Sequence, residues 1–439
     1  MNIFPLILLG RNTFKIASSI THPEQQLGNS ESEIIHNIHQ IRFHRQNKYL
    51  TTGGHFSDLF VRNMGIFYNA LLDPRIPSSE KDWLDRQEIC YKTIQFALEA
   101  FVQKGTDATT ISPHHNSKFE LLNIYSRASD SLYAILYGLK MLTDIQTTIS
   151  RYPSKDIYLQ HQQLDPTLYQ CTQKLIQQHQ KSLRTLIEKY LDEVIDPITN
   201  LIRNNIYLSS ARDGIKRRSS FYDNVIAWAT IQLALDLNVP INKELYNSYT
   251  QNLLREKIIQ SFWNVQTGIF NDDLSTTSFS ADQLVIITTK FFDLSSKDHQ
   301  IKLNSIISYI QGHQLDQPFP LHYSDNHQPS KLYWPVRYFA PKYMTQTIWS
   351  HWGMEYIKLL ILLSHYQPNY LIRAKQHLDS YKQNIEKYGG YPECYSLNGL
   401  PYRERLYRTV LNTSWVINYE QAKMLYNQYL SKPVQYLIS

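Results

Sequence analysis

Glu393 sits in the stretch Gly389–Trp415, GGYPECYSLNGLPYRERLYRTVLNTSW, which crowds glycine, proline and tyrosine around a carboxylate between two helical segments. The core of the stretch reads E-x-Y-x-x-x-G-x-P over Glu393, Tyr395, Gly399 and Pro401. A carboxylate held in a turn-rich loop can take or give a proton, and tyrosine rings stack on the apolar faces of sugars. That combination suits chemistry at a glycosidic bond. Cys394 follows Glu393, but no histidine in register activates it, so it reads as a small wall residue and not as a nucleophile.

The same stretch resembles the last catalytic loop of trehalases and of the α-glucosidases related to the glycan-processing glucosidase. Those are inverting hydrolases built on an (α/α)6 toroid. The resemblance implies that Glu393 is the general base. An inverting hydrolase also needs a general acid, with the two carboxyl groups about 6.5–9.5 Å apart so that a water fits between. The acid is implied at Asp213, in Ser209-Ser210-Ala211-Arg212-Asp213-Gly214, whose spacing resembles the family's E-S-G-x-D stretch. Ser209 and Ala211 stand where the family commonly has Glu and Gly. On the residues alone, Asp213-Gly214 is equally an ordinary turn.

The following Phe221-Tyr222-Asp223-Asn224 resembles the start of the family's next helix, which adds Tyr222 and Asp223 to the substrate site. Asp223 is the second candidate for the acid, although Asp223-Asn224 also reads as a helix N-cap before Val225. The loop Gly54–Asn63 resembles the family's substrate-binding segment, with Arg62-Asn63 in place of an Arg-Asp pair and Asp58 able to supply the missing charge. A guanidinium beside short polar groups suits bidentate bonds to sugar hydroxyls. Of the family's R-G-P-I-W only Ile348-Trp349 survives. Trp349, Tyr333 and Trp334 are candidate stacking platforms, and Tyr395 is expected to help shape the sugar site.

Asp272, Asp273 and Asp282 form an acidic cluster without the spacing of a calcium loop. His55, His114, His115 and His351 lack metal-ligand spacing. No metal or other cofactor is expected. His55 or His351 would move protons if the scaffold hosted an epimerase or a lyase. A further alternative is a carbohydrate-binding protein whose departures at Asn63, Ser209 and Ala211 mark lost catalysis.

The elements that must hold these residues follow one plan. Aromatic and polar loops occur near residues 55, 120, 215, 270, 340 and 395, each leading into an apolar helix, with amphipathic helices between. Their spacing is about 70 residues, the length of two helices and two loops. Helices are expected over 31–49, over a segment through Ala70-Leu71-Leu72, over 79–102, along the stripe Leu132, Ile135, Leu136, Leu139 and Leu142, over 168–195, and from Trp352. The fold class is all-α, an (α/α)6 toroid. Residues 1–50 form an arm and first helix, 51–439 the toroid, and the whole is one domain. No glycine-rich phosphate loop or strand–helix alternation points to a nucleotide-binding fold.

The 439 residues carry a net charge of +6, with one basic knot, Lys216-Arg217-Arg218, expected to be a solvated loop. Neither a nucleic acid nor a membrane is an expected partner; an oligosaccharide or glycoside is. Cys90, Cys171 and Cys394 are far apart in the sequence, which fits reduced thiols and a cytoplasmic location. The apolar run at the N-terminus is too short to span a membrane. The 32 tyrosines suit a wet, lined cleft, although most are expected to pack helices.

Overall fold

The computed structural model describes residues 24–113, 118–151, 166–212, 214–242, 246–404 and 406–431, with backbone alone for 145–151, 248 and 249. The expected N-terminal arm up to residue 23, His114, His115 and Asp213 lie outside these residues.

The chain runs through α1 (Glu31–Arg42), a 3-10 turn (Val61–Met64), α2 (Glu80–Lys104), α3 (Ser131–Arg151), α4 (Pro166–Val194), α5 (Phe221–Asp236) and α6 (Ser248–Phe262). A second 3-10 turn (Ala281–Leu284) continues into α7 (Val285–Thr288). Then follow α8 (Lys297–Gly312), the short α9 (Trp334–Phe339), α10 (Ser350–Leu363), α11 (Asn369–Tyr388) and α12 (Val416–Ser431). Starts and stops follow local chemistry. Ser30, Ser79 and Ser220 cap α1, α2 and α5 with side-chain oxygens that accept backbone N–H groups. Gly105 and Gly389 end α2 and α11 in the left-handed conformation.

Two layers result. The segment 61–72, α3, α5, the segment 281–288, α10 and α12 form an inner ring. In it α3 packs on α5 and on the 61–64 turn, α5 meets 281–288, and α10 joins 281–284 to α12. Asn418 of α12 donates to the Phe67 carbonyl at 2.6 Å and so closes the circle. Helices α1, α2, α4, α6, α8 and α11 lie outside. The central inner helices are buried on every side: in α5 the run Val225 to Ala229 is buried throughout, as is Trp352 to Ile361 in α10, where Glu355 and Lys358 pair with each other. Outer helices bury one stripe, as α4 does with Leu183, Leu186, Ile187, Tyr190 and Val194. Gly353 in α10 lies where a Cβ would meet Pro320 O and Tyr381 Oη, both at 2.5 Å, so only glycine lets the outer layer come this close.

Two helices differ from expectation. Helix α1 stops at Arg42, not Tyr49. The helix expected through Ala70-Leu71-Leu72 is a 3-10 turn followed by further turns. Its packing overrides its helical pattern: at Gly65 a Cβ would stand 2.8 Å from Ala134 Cα, pressed against α3.

Short strands tie neighbouring loops together at the end of the ring where the inner helices begin. Arg127–Ala128 pairs in parallel with Leu208–Ser209, and Thr347–Trp349 pairs antiparallel with Cys394–Ser396 in the register Trp349 to Cys394. No helix among the described residues is long and apolar enough to cross a membrane.

Candidate active site

Glu393 is fixed at this loop-bearing end by its backbone before its side chain is considered. Its N–H donates to the Val410 carbonyl at 2.9 Å, and its carbonyl accepts from the N–H and Oγ of Ser350, at 3.1 and 2.8 Å. The loop is therefore anchored to the first residue of α10. The side chain is 2 % exposed. Oε1 accepts a hydrogen bond from the Tyr343 hydroxyl at 2.6 Å, and Oε2 accepts one from Tyr407 at 3.0 Å. Burial pushes the Glu393 pKa up to about 7, against the pull of the two phenols and of the Arg62 guanidinium. The same burial, reinforced by the Glu393 charge, raises both phenols well above their ordinary value, so they remain donors.

Removing one donor makes a direct test. Tyr343→Phe takes away a bond that favours the ionised carboxylate, so the Glu393 pKa rises. The acidic limb of any activity that needs this carboxylate ionised is expected to move to higher pH, with no loss of the plateau. A limb that stays in place would detach Tyr343 from Glu393.

Arg62 joins three loops. It donates through Nη1 to the Ser210 carbonyl, and its charge acts on Glu393. Asn63 donates to Thr52 Oγ1 at 2.6 Å, and Asp58 is buried beside this segment. Arg62 thus links the first loop to the third at Ser210 and acts on the sixth at Glu393. The residues flanking position 213 are held firmly. Arg212 Nε donates to the Met344 carbonyl at 2.9 Å, and Gly214 O accepts from Tyr333 N at 2.9 Å.

The basic knot is not the solvated loop its composition suggests. Lys216 and Arg218 face outward, but Arg217 is buried. Arg217 Nη1 bonds Asp272 Oδ1 at 3.0 Å and Asp282 Oδ2 at 2.6 Å, and Arg212 Nη1 bonds Asp272 Oδ2 at 2.8 Å. Lys331 holds Asp273 at 3.1 Å. The acidic cluster is therefore spent on guanidinium and ammonium partners. Among the described residues no group of carboxylate, histidine or cysteine ligands is arranged for a metal ion.

Other expected residues take packing positions. Tyr222 donates to Asp130 Oδ2 at 2.9 Å within the core. Asp223 completes the cap of α5: Ser220 Oγ donates to its Oδ2 at 2.6 Å, so the N-cap is Ser220 and the helix starts two residues before Asp223. Trp349 is buried, its Nε1 donating to the Tyr343 carbonyl at 2.8 Å, with Tyr323 and Trp415 beside the ring. Tyr395 is fully buried against Phe319 and Tyr381. Neither ring offers an open face. Trp334, in contrast, is 63 % exposed. His351 is wedged between Phe67 and Trp352, and burial pulls its pKa down to about 3. His55 lies edge-on to Tyr407, 5.7 Å between ring centres, and burial lowers it to about 4. Cys394 is buried and its thiol is pushed well up by burial, which fits a wall residue. The site residues that sequence reasoning missed are Tyr343, Tyr407, Arg212 and Arg217. Nothing local distinguishes Tyr343 among 32 tyrosines, whereas Tyr407 lies in the same Gly389–Trp415 stretch as Glu393 and that nearness was its signal.

No protein-family model matches the sequence, and no curated protein matches it. Solved structures do resemble the chain. The GH63 mannosylglycerate hydrolase from Thermus thermophilus, in complex with Tris and D-glycerate, is 10% identical, with 90% of this chain and 99% of that one covered at a TM-score of 0.50. A rhamnosidase from Klebsiella oxytoca with rhamnose bound is 12% identical at a TM-score of 0.49; the match covers 93% of this chain but 65% of that longer one. A metal-independent alpha mannosidase of Streptococcus pneumoniae, complexed with alpha-1,6-mannobiose, is 11% identical over 91% of this chain and 94% of that one, at a TM-score of 0.48. At 10% identity the likeness to the mannosylglycerate hydrolase speaks to architecture alone. The architecture is an (α/α)6 toroid, as the two layers of helices and the loop-bearing end already indicate.

Proposed function

We propose that the protein is an inverting O-glycoside hydrolase acting on an α-glucosidic or related bond of an oligosaccharide. The observation that carries this reading is Glu393: a buried carboxylate at the loop-bearing end of the ring, with a phenol donating to each oxygen and a pKa near 7. A base works best with a pKa near the operating pH, and each carboxylate oxygen keeps a lone pair for a water proton. A protein of the same fold from Thermus thermophilus is a mannosylglycerate hydrolase.

In the proposed reaction Asp213 donates its proton to the glycosidic oxygen as the bond to the anomeric carbon breaks. A water attacks that carbon from the opposite face, and Glu393 takes the proton the water loses. The products are a free sugar of inverted configuration and the leaving alcohol. Glu393 then returns its proton to solvent, Asp213 regains one, and the only co-reactant is water. Arg62, Asp58 and Asn63 would bind hydroxyls of the sugar.

The test is product release from a panel of α- and β-linked disaccharides and oligosaccharides, with the anomer formed first read by proton NMR. Wild type is expected to cleave one linkage with inversion, and Asp213→Asn to lose about 10²–10⁴ in rate. Retention of configuration would overturn the inverting mechanism. Full activity of Asp213→Asn would pass the acid role to Asp223. Sugar binding with no cleavage anywhere in the panel would favour a binding protein or an epimerase.

A further inference from the structure

Four aromatic rings from three separate loops meet in a row at the loop-bearing end. Tyr207 and Tyr125 have ring centres 5.8 Å apart, Tyr125 and Tyr333 6.0 Å, and Tyr333 and Trp334 6.3 Å. None of the four is buried, and Trp334 is mostly exposed. The rings are tilted by 45° to 74° from one to the next, so they form a stepped shelf and not a packed stack. Each precedes an inner-ring element, which places the shelf on the same end of the toroid as Glu393.

The shelf also adjoins the loop of the proposed acid. Tyr333 N donates to the Gly214 carbonyl, and Lys216 N donates to the Lys331 carbonyl at 2.8 Å, so the strip carrying Tyr333 and Trp334 lies alongside the loop after residue 213. At the far end Lys216 Nζ and the Arg218 guanidinium lie 6.0 and 5.8 Å from the centre of the Tyr207 ring. Both are exposed, and among the described residues neither forms an ion pair with a carboxylate. Asp273, beside Arg218, is taken up by Lys331. Arg217, the middle member of the knot, points into the core. The knot therefore splits into one structural cation and two that face solvent across a tyrosine.

A contiguous row of partly exposed rings marks a binding surface, and two exposed cations over its end ring, Arg218 also bonded to the Tyr207 hydroxyl at 3.4 Å, mark a place for negative charge. We propose that this shelf binds the leaving-group portion of the substrate, and that this portion is an acidic oligosaccharide bearing carboxylates. Trp334 and Tyr333 take sugar faces beside the loop that begins at Gly214, and Lys216 and Arg218 pair with carboxylates farther out. The assignment rests on the glycosidase reading for its place in a reaction but not for the binding itself.

The experiment is calorimetric titration, at two salt concentrations, with tetragalacturonate and a hyaluronan tetrasaccharide against maltotetraose and cellotetraose. The proteins are wild type, Trp334→Ala, the double variant Lys216→Ala/Arg218→Ala, and Glu393→Gln. Wild type should prefer at least one acidic tetrasaccharide over both neutral ones by about tenfold or more, and the preference should shrink as salt is raised. The double variant should erase the preference, and Trp334→Ala should weaken acidic and neutral ligands alike. The shelf side chains are exposed, so thermal melting of their variants should match wild type. Equal binding of acidic and neutral ligands, no binding of any, or an unaltered preference in the double variant would each overturn the proposal. Glu393→Gln separates the two readings. If it and wild type both bind acidic ligands and neither cleaves any glycoside, the hydrolase reading fails and the shelf stands. If wild type cleaves neutral disaccharides while the shelf variants change nothing, the shelf fails and the hydrolase stands.

Discussion

Glu393→Gln is expected to lower turnover by about 10²–10⁴-fold and, in the same molecule, to raise stability at and above neutral pH. The two effects share one cause. Burial holds the Glu393 pKa at about 7 in the folded chain, against 4.5 for a free side chain. Between those values the folded state keeps a proton that the unfolded chain releases. Stability from this group is therefore fully present below pH 4.5 and is lost as pH rises through 7, a difference on the order of 3 kcal/mol. Glutamine has the same shape and cannot ionise. Urea midpoints of wild type should fall relative to the variant from about pH 4 to about pH 8, while turnover of wild type rises with pH through about 7. A variant that matches wild type in stability at every pH would mean that Glu393 is solvated, and one that keeps its activity would end the base assignment.

Arg217→Ala is expected to be the most destabilising of the substitutions considered, by about 3–5 kcal/mol. The cost comes from what is left behind. Asp272 would still have Arg212, but among the described residues Asp282 would keep only the Ser280 hydroxyl, at 2.6 Å. A buried carboxylate without a cation is far more costly than a missing ion pair. The double variant Arg217→Met/Asp282→Asn removes both charges and should recover much of the loss. Urea unfolding of the two variants beside wild type reads this directly. If the double variant is no better than Arg217→Ala, the stabilisation lies in packing and not in charge.

The sequence carried the ring further than it carried the site. Six loops leading into six apolar segments are visible in the hydropathy pattern, because inner segments bury most of their surface and outer helices only a stripe. The first inner segment misled, since 66–72 is apolar enough for a long helix but is shaped by its close approach to α3 at Gly65. Glu393 was legible because its loop is local: glycine, proline and tyrosine surround it in sequence. Its partners were less so. Tyr343 lies 50 positions away, and Arg217 lies 65 from Asp282. Contacts of that reach depend on how the hairpins close, which no short spacing records. The basic knot shows the limit most clearly, because adjacent residues of one charge sign point to opposite sides of the chain backbone.

The clasp between the first and last described helices has a consequence for how such a molecule can change. Glu31 of α1 accepts from Tyr419 at 2.7 Å and pairs with Lys423 at 2.6 Å on α12, and His39 meets Glu420 at 2.6 Å. A stack of hairpins left open would behave as a linear array, fraying at its ends and free to gain or lose a unit. Here the stack bites its own tail. Every hairpin has a neighbour on both sides, so deleting or duplicating one would leave Glu31 without its lysine and the circle without closure. Variation is pushed out of the scaffold and into the loops at its rim, where Glu393 lies.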